Sequence, residues 1–409
     1  MPDDDDARCY VTHLESAIDG TVLPAGTRQT THAGRPLWVR YGLDAIRASV
    51  DRDALRSRPA EMWRYRELLP LADARHPISL GETMTPLLAA PRLGAHLGLS
   101  DLRIKDESRL PTGSFKARGV AVAVSMAQQL GIVRVAAPTA GNAGGALAAY
   151  AARAGMVAYV FMPADTPMVN RYEAALYGAH AYLVDGLITD CGAIVRDGVE
   201  AMGWFDMSTL REPYRIEGKK TMGLELADQL DWRLPDVVLY PTGGGTGLIG
   251  MWKAFGELEA LGWLDAPRKP RLYACQSDGC APIADAWAAG ERYAQPAVDA
   301  RTIASGIRVP AAVGDFMILD AVRASGGAAL TAAEGKLVEW MRLAGRLEGI
   351  ALCPETAACL DVLDGLVRRG DVHPDEQVVV FNTGAAQKYV EAMAVDLPRL
   401  EPPVDYVAL

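Results

Sequence analysis

The sequence predicts an α/β protein made of two open parallel sheets with helices on both faces. Three observations predict it. From Leu102 onward, short β-branched runs alternate with longer helical patterns, the arrangement of strand–helix–strand units. Several of those runs end in glycine-rich turns that lead straight into a helix, and open sheets of this kind bind ligands beyond the carboxyl ends of their strands. The chain has 409 residues, 50% hydrophobic and 22% charged. That is long enough to bury a large core unaided and too apolar for intrinsic disorder.

The elements follow in order. Residues 1–75 are rich in Arg and Asp, lack a long apolar strand and read as an N-terminal extension. Within it, the run from Trp63 to Leu69 predicts a short helix stopped by Pro70. Strands are expected at 102–105, 133–137, 157–162, 181–184, 237–240, 272–275 and 378–381. Helices are expected at 114–130, 142–154, 168–177, 217–230 and 246–261, with a last one from Ala385. Two such units leave a cleft between them.

Charge and cysteine usage narrow the function class. The formal net charge is −10, which argues against nucleic acid or an anionic membrane as partner. Six cysteines without a CxxC pair predict reduced thiols and a cytoplasmic protein. The acidic start Met1-Pro2-Asp3-Asp4-Asp5-Asp6 has no apolar region, so it is not read as a signal peptide. The stretch nearest to a membrane span, Gly119 to Pro138, is interrupted by Gln128, Gln129 and Arg134. No HExxH, paired CxxC or GxSxG pattern supports a metal site or a serine nucleophile.

Four turns carry the chemistry. In the first, Pro111-Thr112-Gly113-Ser114-Phe115-Lys116, a lysine stands at a helix start. The helix dipole disfavours its charge there and favours a nucleophilic amine. Phe115 offers an apolar wall, and a solvated surface lysine is the plainer reading. The second, Thr139-Ala140-Gly141-Asn142-Ala143, presents backbone N–H groups that can hold an anion. Asn142 is either a ligand amide or a helix cap.

The third, Pro241-Thr242-Gly243-Gly244-Gly245-Thr246-Gly247, follows a strand and opens a helix, so backbone and dipole can close on a phosphate. Gly245 to Gly250 also fits the G-x-G-x-x-G dinucleotide pattern literally. A nicotinamide site also needs an acidic residue about twenty positions on, at the end of the next strand; here that strand ends at Gln276-Ser277-Asp278, and Asp278 is late and on the wrong side of the turn. The fourth turn, Asn382-Thr383-Gly384, puts a hydroxyl at a strand end.

Together these turns resemble the pyridoxal-phosphate enzymes of fold type II, the tryptophan synthase β-subunit family, and within it the threonine synthases. The resemblance extends from Trp63-Arg64-Tyr65-Arg66 through Ser79 to Leu87 and on to Asn382-Thr383-Gly384. Its most specific parts are Lys105-Asp106-Glu107 and Pro111 to Lys116. It implies a pyridoxal 5'-phosphate cofactor in the cleft, with Lys116 as its Schiff-base lysine and Phe115 beside it. It further implies Asn142 at the phenolic oxygen, Gly243, Gly244, Gly245, Thr246 and Gly247 at the phosphate, and Thr383 facing the pyridine nitrogen. Thr139, Ala140 and Gly141 would meet the substrate. Arg215, in Arg215-Ile216-Glu217-Gly218-Lys219-Lys220-Thr221 against the family's Arg-x-Glu-Gly-Gln-Lys-Thr, would hold the substrate phosphate.

The implied reaction turns O-phosphohomoserine and water into threonine and phosphate, with Lys116 as base and then acid. The resemblance also implies a homodimer, a large cofactor domain of residues 76–115 and 216–409, and a small mobile domain of residues 116–215. The chain departs from the family in several places, among them Ala385-Ala386-Gln387-Lys388 after Thr383-Gly384, where members have glycine-leucine-lysine. Ala140 and Ala143 stand where members often carry hydroxyls, and Gly244 where some have asparagine. The extension has Ser16, Asp19, Thr31 and Ala33 where relatives carry zinc-ribbon cysteines, so no metal is expected. Elimination or replacement at the β-carbon of serine, threonine or phosphoserine is the alternative reaction.

Overall fold

The computed structural model describes residues 9–72, 76–266, 268–393, 397–400 and 402. The acidic start at residues 1–6 lies outside the described residues. Among the described residues, thirteen strands form three sheets. β1 (Val11–Ser16), β2 (Val22–Leu23) and β3 (Leu37–Tyr41) make an antiparallel sheet in the extension, in the order β2-β1-β3. The composition of this segment hides its strands, because each is short and one-sided: Leu14, Leu37 and Val39 are buried while the residues between them face outward. The expected helix at Trp63 is a 3-10 segment, Met62–Leu68.

The central sheet has β4 (Leu87–Ala89), β5 (Asp101–Asp106), β10 (Val237–Pro241), β11 (Arg271–Ser277), β12 (Ala328–Ala332) and β13 (Gln377–Asn382) in the order β12-β11-β10-β13-β5-β4. Four of its five pairings are parallel, as expected, and at one edge β4 runs antiparallel to β5. Central strands buried on both faces read as continuous apolar runs rather than alternating ones, and β10 is buried throughout. The third sheet is parallel: β6 (Arg134–Pro138), β7 (Val157–Pro163), β8 (His180–Val184) and β9 (Phe205–Asp206), ordered β8-β7-β6-β9.

Two helices link the sheets. Lys116–Gln129 packs along Tyr214–Gln229. Gly218 makes that approach possible, since a Cβ there would lie 2.0 Å from the Arg118 carbonyl oxygen. Both helices are buried nearly throughout, which is why neither shows a clean amphipathic stripe. The five helices expected between residues 114 and 261 form within a few residues of their bounds.

The expected last helix does not form. Ala385 donates its N–H to the Gly113 carbonyl and bridges Leu352, so only a 3-10 turn, Ala386–Lys388, follows. Tertiary hydrogen bonding takes the backbone groups that a helical ladder would need. Eight α-helices among the described residues were not anticipated, the three longest being Asp315–Ser325, Leu337–Glu348 and Pro354–Arg369.

Candidate active site

The glycine-rich turns converge on one cavity of about 410 Å³. Phe115, Lys116, Thr139, Ala140, Gly141, Asn142, Gly243, Gly244, Gly245, Thr246, Gly247 and Thr383 all line it. Residues far apart in sequence meet because β6, β10 and β13 end at this level and their turns all face the cleft.

Lys116 begins the helix that ends at Gln129. Its amine lies 4.1 Å from the Phe115 ring centroid and makes no hydrogen bond or ion pair among the described residues. Its pKa is pushed down to about 7, first by burial and then by the Arg215 charge. The sequence argument credited the helix dipole; burial is the larger cause.

Phe115 is held firmly. Its N–H donates to the Thr383 carbonyl at 3.1 Å, and its own carbonyl accepts from Lys219 Nζ at 2.7 Å. Lys219 Nζ also lies 4.1 Å from the Phe115 centroid. Burial and the Lys116 and Arg215 charges hold its pKa far below the usual lysine range. The second lysine that replaces the family's glutamine therefore sits directly beside the first.

The Asn142 loop is rigid. Thr139 Oγ1 donates to the Gly141 carbonyl and accepts from the Gly141 and Gly144 N–H groups, so its hydroxyl is engaged within the loop. Asn142 is not a cap: it is the first residue of helix Asn142–Arg153, and Gly141 precedes it. Its Nδ2 donates to Tyr389 Oη at 3.0 Å, and its Oδ1 is buried without a partner.

Opposite, Gly245 has φ +71° and caps helix Thr246–Leu261. A side chain is strained at that φ, and a Cβ there would lie 2.2 Å from the Ile318 side chain. The loop is thus a bare backbone cradle at the start of a sixteen-residue helix, suited to an anion.

Thr383 Oγ1 lies 3.7 Å from Cys353 Sγ. Burial pushes that thiol up to about 12, so it stays protonated. A lysine with a lowered pKa, an unpartnered amide oxygen and a side-chain-free cradle together fit a phosphorylated aldehyde cofactor.

Arg215 does not reach the cavity. It is buried behind the wall, and its Nη1 donates to the Met207 carbonyl at 2.8 Å. Arg211, in the turn just before that helix, does line the cavity. Several cavity residues escaped sequence reasoning: Tyr389, Glu355, Ser305, Tyr240 and Arg211 among them. The only local signal was for Arg211, which sits four residues before Arg215.

Lys105 and Glu107, carriers of the resemblance, lie outside the cavity in a buried ion cluster. Arg118 makes four short bonds to Glu107 and Glu225, and Lys105 Nζ donates to Glu225 at 2.8 Å. Glu217 and Lys220 form a second cluster with Lys253 and Tyr41.

Comparison with known proteins agrees with this geometry. Residues 78–384 match the family model described as pyridoxal-phosphate dependent enzyme. The chain is 34% identical over 364 residues to the threonine synthase of Methanocaldococcus jannaschii, covering 89% of each. It is 34% identical to that of Methanosarcina acetivorans, covering 85% of this chain and 84% of the relative. Maize serine racemase superposes with a TM-score of 0.64 at 22% identity, over 76% of this chain and 91% of that one. The chain therefore belongs to the pyridoxal-phosphate dependent enzymes, as a threonine synthase-like lyase.

Proposed function

We propose that the protein converts O-phosphohomoserine and water to threonine and phosphate. The observation that carries this reading is Lys116, an amine with a pKa near 7 on the wall of a cavity framed by Asn142 and the glycine loop. When bound, pyridoxal phosphate supplies an electron sink for charge developing at the substrate's α-carbon. Lys116 would hold the cofactor. Once displaced by the substrate amine, it would take the α-proton and later return a proton to the substrate. A pKa near working pH suits both directions of transfer.

The backbone from Gly243 to Gly247 would bind the cofactor phosphate, and Asn142 would donate to its phenolic oxygen. Thr383 would meet the pyridine nitrogen with a neutral hydroxyl, backed by the protonated Cys353. Neither group forces a proton onto that nitrogen, so the sink is moderate, as controlled elimination and addition require. The N–H groups around Ala140 and Gly141 would take the substrate carboxylate. Arg211, half-buried and without an ion pair among the described residues, is the guanidinium placed to meet the substrate phosphate. Arg215 would act through its field on Lys116. All six cysteines are free, which agrees with a cytoplasmic setting, and the same reading makes the protein a homodimer in which residues 116–215 move as a small domain over the cleft.

Incubation with O-phosphohomoserine should release phosphate and threonine in equal amounts. No phosphate at any concentration overturns the reading. One observation favours a second reading: the wall has lost groups for a phosphate, because Thr139 is engaged in its own loop and Arg215 is turned away. Release of a 2-oxoacid from serine, threonine or phosphoserine, with O-phosphohomoserine inert, would establish it.

A further inference from the structure

The Gly243–Gly247 cradle is bare backbone, yet one side-chain hydroxyl is pressed against it. Tyr240 belongs to β10, the strand that leads into the cradle, and it lines the cavity while only 2% exposed. A Cβ on Gly247 would lie 2.0 Å from Tyr240 Oη, so only glycine at that position admits the phenol. Two rings hold the tyrosine in place: Phe115 edge-on with centroids 5.9 Å apart, and Phe381 tilted at 5.5 Å. The hydroxyl is therefore fixed beside the first turn of helix Thr246–Leu261.

That hydroxyl is buried and has no hydrogen-bond partner among the described residues. Buried tyrosines usually find one, and an exception calls for an explanation. Burial holds the phenol's pKa well above its usual value, so it keeps its proton. It is a donor without an acceptor. Its surroundings suit one kind of acceptor. The backbone N–H groups and the dipole of the helix that opens at Thr246 favour an anion, and an ionised phosphate oxygen takes hydrogen bonds more strongly than a neutral acceptor does. A neutral hydroxyl adds a bond there without adding charge.

We propose that Tyr240 is a further cofactor-binding residue, whose hydroxyl donates to the phosphate that the Gly243–Gly247 backbone holds. The proposal rests on the reading that this loop is the phosphate site. The Phe115 ring, packed on Tyr240, then ties the phosphate cradle to the turn that carries Lys116. No local pattern singles Tyr240 out, because a tyrosine inside the apolar run Val237-Val238-Leu239-Tyr240 reads as core.

The test titrates the full-length, cofactor-free chain with pyridoxal 5'-phosphate and, separately, with pyridoxal, which lacks the phosphate. The readout is the visible absorption band that depends on Lys116. Tyr240→Phe removes one oxygen and keeps the ring. It should weaken the affinity for pyridoxal 5'-phosphate about ten- to a hundredfold, the scale of one hydrogen bond to a charged group, and leave that for pyridoxal unchanged. The thermal midpoint of the cofactor-free chain should stay or rise, since the oxygen removed is buried and unpaired. Unchanged affinity for pyridoxal 5'-phosphate, equal losses for both ligands, or a lowered midpoint of the cofactor-free chain overturns the proposal. If the wild-type chain itself binds pyridoxal as tightly as pyridoxal 5'-phosphate, the reading of the loop as a phosphate site falls, and this proposal with it.

Discussion

Lys116 and Arg118 are two residues apart on one helix and live in opposite electrostatic settings. Arg118 is fully buried and every end of its guanidinium meets a carboxylate, Glu107 on one side and Glu225 on the other. Lys116 meets only an aromatic ring and a cavity. The outcome for proton affinity is opposite as well. The carboxylates drive the Arg118 pKa up despite burial, whereas burial and a neighbouring cation drive Lys116 down. Buried polar groups that satisfy one another hold the fold together; those left unsatisfied around a cavity are available to a ligand. Asn142 Oδ1, Glu355 Oε2 and Ser305 Oγ belong with Lys116 on the unsatisfied side.

The sharpest way to break this comparison is to truncate each partner. Lys116→Ala should lower turnover by about 10²–10⁴-fold and abolish the visible cofactor band. Unfolding by urea should move by less than about 1 kcal/mol, because no ion pair is lost. Arg118→Met should do the reverse. Stranding Glu107 and Glu225 should cost about 3–5 kcal/mol of stability, while whatever folds at low temperature should still bind cofactor. If Arg118→Met left stability unchanged, the division between a structural and a reactive set would fail.

A smaller effect separates the two arginines at the start of helix Tyr214–Gln229, Arg211 just before it and Arg215 within it. Arg211→Ala should raise KM for an anionic substrate about tenfold with kcat little changed, the scale of one charge-assisted contact. Arg215→Ala should act on kcat and on the Lys116 band, since that guanidinium touches the Met207 carbonyl and influences Lys116 only through its field. Steady-state kinetics of both variants distinguish the roles.

Much of the catalytic cavity was legible because its chemistry is local. A lysine after Thr112-Gly113-Ser114-Phe115, an asparagine after a glycine and four glycines after a buried strand each announce a strand-to-helix turn. Twelve of the thirteen residues expected at the site, all but Arg215, line one cavity. Arg215 does not line the cavity as expected, because sequence can place a side chain near a helix start but cannot say which way it turns. Here the Met207 carbonyl draws it inward. Tyr389 was missed for a related reason. It was expected inside a last helix, and it reaches the cavity only because that helix yields to the bridge between Leu352 and Ala385. The amphipathic helix Leu337–Glu348 was legible in principle, since its buried residues Leu337, Trp340, Met341 and Ala344 keep helical spacing.

By itself, the sequence determined the α/β class, the strand-to-helix turns and twelve of the residues that line the cavity. These depend on properties of short segments: β-branched runs, glycine torsional freedom and the position of a lysine at a helix start. Only the tertiary structure decided which charges are neutralised and which stand open. Glu225 meets Arg118 and Lys105 across more than a hundred residues, and Tyr389 meets Asn142 across 247. Burial and pairing set proton affinities, and both arise only when distant elements pack. That is why the sequence could name Lys116, while the fold supplied the burial that makes it reactive.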